Sequence, residues 1–216
     1  MKINKQSLEE QATDYLRQKI VNGEMVQGEK IVESTLAKEL ELSRSTVRMS
    51  LNSLAHEGLI VQKPYAGWQV ISLDDDDLWE LYHLRVALES QAAAMAAEKA
   101  SEQDKDALRQ LYQDYCRLCE NNPTDSHAIS EADFNLHKKI VEASHSKRME
   151  KIYSQIANQL QSYLSITHED YDLAQSGLSH AAMIEAICSG DVEGAWQEAK
   201  ANITPFTQMG STLKQG

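Results

Sequence analysis

The sequence predicts a mainly α-helical protein with two domains, over residues 1–73 and 74–216. The chain contains only three prolines and nine glycines, and so few helix breakers favour long helices. After residue 77, apolar residues recur at helical spacing almost without interruption to about residue 209. Two short β-like runs, at residues 59–62 and 68–71, come before that stretch. We therefore expect a small mixed N-terminal domain and an all-α C-terminal domain.

Charge is unevenly spread along the chain. Residues 1–70 contain nine Lys or Arg and nine Asp or Glu, whereas residues 71–216 contain 12 and 24 and account for the whole net charge of −12. An acidic surface repels phosphate, so we expect any nucleic-acid contact in the N-terminal domain. That domain is not basic overall, and its binding should depend on a few well-placed cations and weaken strongly as salt rises.

Three further features concern the compartment. No run approaches the roughly 18 apolar residues of a membrane span. The N-terminal stretch MKINKQSLEEQ lacks the apolar block of a signal peptide. Three cysteines, an odd number, fit a reducing compartment. We expect a cytoplasmic protein with no membrane partner.

The N-terminal domain is predicted to begin with three helices. The first covers residues 8–21, with acidic residues early and basic residues late, as the helix dipole favours. Residues 33–54 predict two short amphipathic helices that meet at a tight turn. Ser43 stands where the second of these needs an N-cap. The apolar face of that helix repeats at i, i+3, i+4 and i+7 through Val47, Ser50, Leu51 and Leu54.

The opposite face of the same helix is polar. Arg44, Ser45, Arg48 and Asn52 gather away from the apolar face, so the helix can bury its leucines and lie in a DNA major groove. A hairpin with Gly67 near its tip follows. Three helices and a two-stranded hairpin are the plan of a winged helix-turn-helix. The alternative is a small helical domain with a hairpin that binds no ligand.

This region resembles the DNA-binding domain of the GntR family of bacterial transcription regulators. The shared signature includes Leu36-Ala37, the S-R-x-x-V-R run over residues 43–48, the E-G-L of residues 57–59 and Gly67. The resemblance implies that Arg44 and Arg48 read guanine edges in the major groove and that Gly67 approaches the minor groove. The sequence departs from the family pattern at Gln27, Thr35, Thr46, Met49 and Ser50, so the family's usual operator is not assumed. At Thr35 the family often has an arginine, so one expected DNA contact is lost.

The C-terminal domain is predicted to be a helical bundle. A run of four acids, residues 74–77, is expected to be a linker and a helix start, since acids favour helix N-termini. Breaks in the helical spacing occur near residue 101 and over residues 121–125, 144–147, 168–171 and 189–191. They divide the domain into about six helices.

This second domain resembles the FCD ligand-binding domain of the FadR subgroup. The resemblance rests on three blocks, residues 80–101, 131–146 and 179–203, and so spans most of the domain. It implies an antiparallel bundle that forms a homodimer and holds a small organic acid, often beside a divalent metal.

A candidate metal site follows from that resemblance. Asp133 and His137 are four residues apart and so project from one helix face, a spacing suited to one ion. Together with His180 they match the family's metal-binding aspartate and two of its histidines. Asn202 stands where the family has its third histidine. Its amide is a poorer transition-metal ligand, so we assign Asn202 to effector binding. Two alternatives stay open, a site for one divalent transition metal, zinc or nickel, and a polar effector pocket without metal.

Arg85 is the second candidate effector residue. It matches the family's arginine that faces the pocket, where a guanidinium can bind a carboxylate through two parallel hydrogen bonds. The alternative is a salt bridge with Glu89, four residues later on the same helix.

The sequence thus predicts a ligand-responsive transcription regulator that binds double-stranded DNA at an inverted-repeat operator as a homodimer, with a small carboxylate as effector. No nucleophile with an orienting partner is visible, so we do not expect an enzyme. A metal-dependent enzyme that uses Asp133, His137 and His180 is the main alternative. A protein-interaction module that has lost DNA binding is the other.

Overall fold

The computed structural model describes residues 6–21, 23–167 and 173–203, except for the side chains of residues 165–167. The chain divides into two compact units, Met1–Leu73 and Asp74–Gly216. Each is described by itself below. Within the described residues, no helix is both long and apolar enough to span a membrane.

The N-terminal unit consists of three helices and a small sheet. Its elements are α1 (Leu8–Val21), β1 (Lys30–Ile31), α2 (Glu33–Glu39), α3 (Arg44–His56), β2 (Ile60–Lys63) and β3 (Gly67–Val70). The sheet is antiparallel in the order β1-β3-β2, and Ile31 pairs with Trp68. The sequence predicted the three helices and the hairpin but not β1, because a strand of two residues has no alternation that a pattern can reveal.

A single apolar core joins these elements. Ser43 caps α3 as predicted, its hydroxyl accepting a hydrogen bond from the backbone N–H of Thr46 at 3.1 Å. Gly58, at a φ of 71°, follows α3 and turns the chain into the sheet. The core residues are Leu16, Ile31, Leu36, Val47, Leu51, Leu54, Leu59, Ile60, Trp68 and Val70.

The C-terminal unit is a helical bundle. Its elements are α4 (Asp75–Lys99), α5 (Glu102–Asn121), α6 (Ser126–Ala143), α7 (Lys147–Thr167), α8 (Leu173–Ser176), a 3-10 turn (Gly177–His180), α9 (Ala181–Ser189) and α10 (Val192–Asn202). The predicted helices correspond to α4, α5, α6, α7, α9 and α10. The short α8 and the 3-10 turn that follows it were not predicted. The break expected at residues 168–171 lies outside the described residues.

Helix α4 lies at the centre of this bundle and packs against α6, α7, α9 and α10. It begins as the acidic run predicted, with Asp74 and Asp77 forming a reciprocal capping box. Small buried residues, among them Ala92, Ala93 and Ala96, let neighbouring helices approach closely. At the other end of the chain, α10 ends at Asn202, and Ile203 has extended backbone. Helical spacing was expected to continue to about residue 209, and residues 204–209 lie outside the described part.

Candidate functional site

Helix α3 presents a polar face to solvent. Its buried residues are Val47, Ser50, Leu51 and Leu54. The residues predicted to contact DNA, Arg44, Ser45 and Arg48, are all exposed on its other side. Burial of one face and exposure of the other follow from the apolar spacing read in the sequence.

Gly67 begins β3 at the end of the hairpin turn. Its φ of 82° lies in the left-handed region, and a Cβ built on it would lie 4.0 Å from the Ile31 carbonyl oxygen. The conformation therefore favours glycine here, while space alone does not exclude a side chain. Tyr65, two residues earlier, is fully exposed at the tip of the hairpin.

Arg48 forms an ion pair that the sequence analysis did not predict. Its Nε donates to Oε1 of Glu33 at 3.0 Å, and its Nη2 donates to Oε2 at 2.7 Å. The Trp68 indole Nε1–H also donates to Oε1 of Glu33, at 3.0 Å. The hydrogen bond from Arg48, followed by the one from Trp68, lowers the pKa of Glu33. One carboxylate thus connects α2, the exposed face of α3 and the central strand of the sheet.

In the C-terminal unit, the structure brings the three predicted metal ligands together. Asp133 and His137 lie on α6, and His180 ends the 3-10 turn. Their ligand atoms all lie within 4.8 Å of one another, and all three residues are buried. The i, i+4 spacing places the first two on one face, but only the packing of the 3-10 turn against the bundle adds the third.

The outer nitrogens of the two imidazoles are held by hydrogen-bond acceptors. Nδ1 of His137 lies 2.8 Å from Oε2 of Glu89, and Nδ1 of His180 lies 3.0 Å from the Ser176 carbonyl oxygen. A proton on each Nδ1 satisfies these acceptors, and that tautomer leaves a lone pair on each Nε2. Such outer partners fix the orientation of histidines that bind metals.

The candidate ligand atoms of the three residues lie close together. The two Nε2 atoms are 3.1 Å apart, and Nε2 of His180 lies 3.0 Å from Oδ1 of Asp133. Three electron pairs this close repel one another unless a cation or a proton lies between them. Two imidazoles and a carboxylate are a donor set suited to a divalent transition metal, with further positions left for water or an effector. The residues therefore fit the metal that the resemblance implies.

Glu89 is the hub of the surrounding hydrogen bonds. It accepts from Arg85 through Nε and Nη2, both at 3.1 Å, from the Tyr153 hydroxyl at 3.0 Å and from His137. Burial opposes its negative charge, but Arg85 and His137 outweigh burial and lower the pKa of Glu89 to about 2. Burial likewise opposes a charged His137, but Glu89 and Asp133 raise its pKa.

The predicted effector residues lie at or beside this cluster. Arg85 is buried and forms the salt bridge with Glu89. Its contact with an effector stays a prediction. Arg85 forms a second, longer ion pair, in which its Nη2 lies 4.0 Å from Oδ2 of Asp133. Asn202 donates through its side chain to the carbonyl and hydroxyl oxygens of Ser179, at 3.3 and 3.2 Å. Asn202 thus holds the turn just before His180.

Sequence reasoning missed several polar residues of the cluster. The Tyr115 hydroxyl lies 3.2 Å from Oδ1 of Asp133 and 2.7 Å from the Ser176 hydroxyl, and Tyr153 bonds to Glu89. These tyrosines come from α5 and α7, and no spacing in the sequence links them to Asp133 or Glu89. Glu89 itself was visible only as a partner for Arg85.

Comparison with known proteins gives family matches over most of the chain. The model of the FCD domain matches residues 80–204, and the model of bacterial regulatory proteins of the gntR family matches residues 8–70. An uncharacterized HTH-type transcriptional regulator of Bacillus subtilis, YdhC, is 24% identical over 87% of this chain and 84% of its own length. The Nta operon transcriptional regulator of Aminobacter aminovorans is 30% identical over 62% of each chain.

A solved structure has the same fold. The E. coli protein McbR/YncC superposes with a TM-score of 0.74 at 20% identity, covering 98% of this chain and 99% of that one. At this identity the likeness speaks to the fold alone.

Proposed function

Because the chain belongs to the GntR family of bacterial transcription regulators and contains an FCD domain, we propose that it is a ligand-responsive regulator that binds an inverted-repeat operator as a homodimer. The family and the named relatives are transcription regulators, which argues against the alternative of a metal-dependent enzyme. The observation that most supports the proposal is α3, which buries its apolar face and exposes Arg44, Ser45 and Arg48.

The DNA is read by that exposed face. A guanidinium can donate twice to O6 and N7 of guanine, which discriminates against other bases by roughly 1–3 kcal/mol. We assign this role to Arg44 and Arg48, and we assign a nearby contact to the Ser45 hydroxyl. The backbone at Gly67 approaches the minor groove. Two copies related by a two-fold axis match the symmetry of an inverted repeat. Because a bacterial chromosome lies in the cytoplasm, we expect a regulator of this kind to act there.

The effector site is the buried cluster of the C-terminal unit. Asp133, His137 and His180 would hold a divalent transition metal, zinc or nickel, which supplies positive charge for an organic carboxylate. Since one edge of the Arg85 guanidinium is bound by Glu89, the effector meets only the N–H groups that this pair leaves. Asn202 acts indirectly, because its side chain hydrogen-bonds Ser179 in the turn that ends at His180. A polar pocket that takes the effector without metal is the second form of this proposal.

Regulation requires only that the effector bind one arrangement of the dimer better than another. Its preference between the arrangements sets how far the DNA-binding equilibrium shifts, and an effector with equal affinity for both shifts nothing.

The proposal is tested by selecting bound sequences from a random double-stranded DNA library with the full chain. We expect an enriched inverted repeat whose half-sites lie about one helical turn, roughly 10 base pairs, apart or a multiple of it. Failure to enrich any sequence would contradict DNA-binding function, and an enriched site without symmetry would contradict the dimer.

The metal part has a separate test. Protein purified without chelator should contain about one equivalent of zinc or nickel per chain, and Asp133→Ala should lose it. Metal-free wild-type protein that still binds an organic acid, with the affinity unchanged by Asp133→Ala, would favour the pocket without metal.

A further inference from the structure

Glu33 and Arg48 form a fork-to-fork pair on the surface where DNA recognition is proposed. The Arg48 side chain is 63% exposed and the Glu33 side chain 21%. Both carboxylate oxygens accept from the same edge of the guanidinium, the Nε–Nη2 edge. An arginine held in this way has lost the freedom of its long side chain before any ligand arrives.

The carboxylate is itself held in place. Glu33 is the first residue of α2, and its Oε1 accepts from the indole of Trp68, a residue that is 3% exposed and belongs to the apolar core. Trp68 also pairs with Ile31 in the sheet. An exposed ion pair between two flexible side chains contributes little, but here one partner is anchored to rigid elements on two sides.

The geometry leaves the other edge of Arg48 for DNA. A guanidinium offers donors along two edges that can each make two parallel hydrogen bonds. With the Nε–Nη2 edge bound to Glu33, the Nη1–Nη2 edge is the one that can donate to O6 and N7 of guanine. The bound carboxylate also offsets the charge that would draw Arg48 toward a backbone phosphate, which contains no sequence information.

Arg44 provides a contrast on the same helix. It is exposed, and among the residues that the structure describes no carboxylate lies within ion-pair distance of it. It is therefore free to contact a base or a phosphate, whereas Arg48 is oriented in advance.

We propose that Glu33 is a positioning residue that determines specificity: it holds Arg48 by one edge so that the opposite edge reads a guanine. The proposal rests on the DNA-binding function proposed above. It adds a residue that touches no base, and it assigns the guanine contact of Arg48 to a particular edge.

The test uses a duplex selected from the random library by the wild-type chain, and a set of duplexes that differ from it by one base pair. The base pair read by Arg48 is the one at which Arg48→Ala loses discrimination. Glu33→Gln should lower discrimination at that pair by about tenfold, within the range a bidentate contact supports. At pairs read by Arg44, Glu33→Gln should match the wild type.

A matched control separates position from charge. Glu39→Gln removes the same charge from the same helix, where Glu39 pairs with Lys19 at 3.3 Å. It should leave discrimination unchanged at every pair. Affinity for unrelated duplex DNA should rise by a small factor in both variants, since each removes one negative charge.

A double-mutant comparison excludes a purely structural role through Trp68. In the Arg48→Ala background, Glu33→Gln should cause no further loss of discrimination, because its effect acts through Arg48. The proposal is overturned if Glu33→Gln discriminates like the wild type, if it loses discrimination equally at all pairs, or if the loss persists without Arg48. It also fails if Arg48→Ala keeps full discrimination, although Arg44 would then still support the proposed function. If the wild type selects no sequence, both proposals fail.

Discussion

The two units contain the same chemical pair in opposite surroundings. In the N-terminal unit, Arg48 and Glu33 meet at the surface, with side-chain exposures of 63% and 21%. In the C-terminal unit, Arg85 and Glu89 make the same two-pronged contact with exposures of 6% and 3%. If one partner of the exposed pair is removed, water can solvate the charge that remains. If one partner of the buried pair is removed, the remaining charge is left away from water.

This difference separates recognition from stability. A buried charge must be paired and fully hydrogen-bonded, because the cost of removing it from water is several kcal/mol. The second pair satisfies that demand with Tyr153 and His137 as additional partners of Glu89. The exposed pair has no comparable demand, so its arrangement can serve ligand binding. We therefore expect changes in the buried pair to act on the fold, and changes in the exposed pair to act on DNA.

The largest effect is expected when the buried pair is broken. Arg85→Ala leaves Glu89 charged and buried without its main partner, and should lower the free energy of unfolding by about 3–5 kcal/mol. Urea denaturation of the chelator-treated protein measures this loss. Arg48→Ala is the matched control and should unfold almost as the wild type does. Equal losses in the two variants would show that the contrast in burial has no energetic consequence.

Acid should distinguish the two glutamates in the same way. The pKa of Glu89 is lowered from 4.5 to about 2, so its charged form contributes stability that is present above pH 4.5 and lost as pH falls toward 2. The shift corresponds to about 3 kcal/mol. Between pH 6 and pH 3, the free energy of unfolding measured in urea should therefore fall less steeply for Glu89→Gln than for wild type. The pKa of Glu33 is lowered as well, but solvent screens this more exposed carboxylate, so Glu33→Gln should flatten the curve less than Glu89→Gln does. A Glu89→Gln curve parallel to wild type would contradict the assignment.

Metal should stabilise only the unit that contains Asp133, His137 and His180. At a free metal concentration of about 100 times Kd, binding adds roughly 2.7 kcal/mol. The melting transition of chelator-treated wild type should rise when zinc or nickel is added, and Asp133→Asn should abolish the rise. Asp106→Asn, which removes an exposed acid that pairs with Arg109, should respond like the wild type. A rise that survives in Asp133→Asn would place the ion elsewhere.

Two glycines allow a comparison of steric and conformational limits. A Cβ on Gly177 would lie 2.9 Å from Cα of Cys116, so Gly177→Ala must push α5 away from the turn that ends at His180. We expect a loss of about 1–3 kcal/mol, together with weaker metal binding by calorimetry. Gly67→Ala meets no such contact and is strained only by its positive φ, by about 1–2 kcal/mol. It should leave metal affinity unchanged, and weaker metal binding in Gly67→Ala would argue against a local steric effect.

The sequence contained most of the secondary structure because local rules decide it. Apolar spacing placed α1 over residues 8–21, Ser43 capped α3, and the run from Asp74 began α4, each as predicted. The two-residue β1 and the 3-10 turn were missed, since neither is long enough to show a period. They matter nonetheless, because β1 braces Trp68 and the turn delivers His180.

The contacts of the sites were less accessible from sequence. The family resemblance suggested Asp133, His137 and His180, but the carboxylate that holds His137 comes from α4 and the tyrosines come from α5 and α7. The pairing of Arg48 with Glu33 joins residues 15 apart on different helices, a separation that no helical spacing predicts. Side-chain pairs between elements depend on packing, which a single sequence does not specify.

The central claim is that α3 reads DNA, and Arg44 tests it most directly because among the described residues it has no ion pair to complicate the result. The measurement is the affinity for the selected duplex, by fluorescence anisotropy at fixed salt, of wild type, Arg44→Ala and Arg109→Ala. Arg109 is an exposed arginine of α5 that pairs with Asp106, so its variant removes the same charge from the other unit. We predict that Arg44→Ala weakens binding about tenfold or more while Arg109→Ala binds like the wild type. Equal affinities for Arg44→Ala and the wild type would contradict the account.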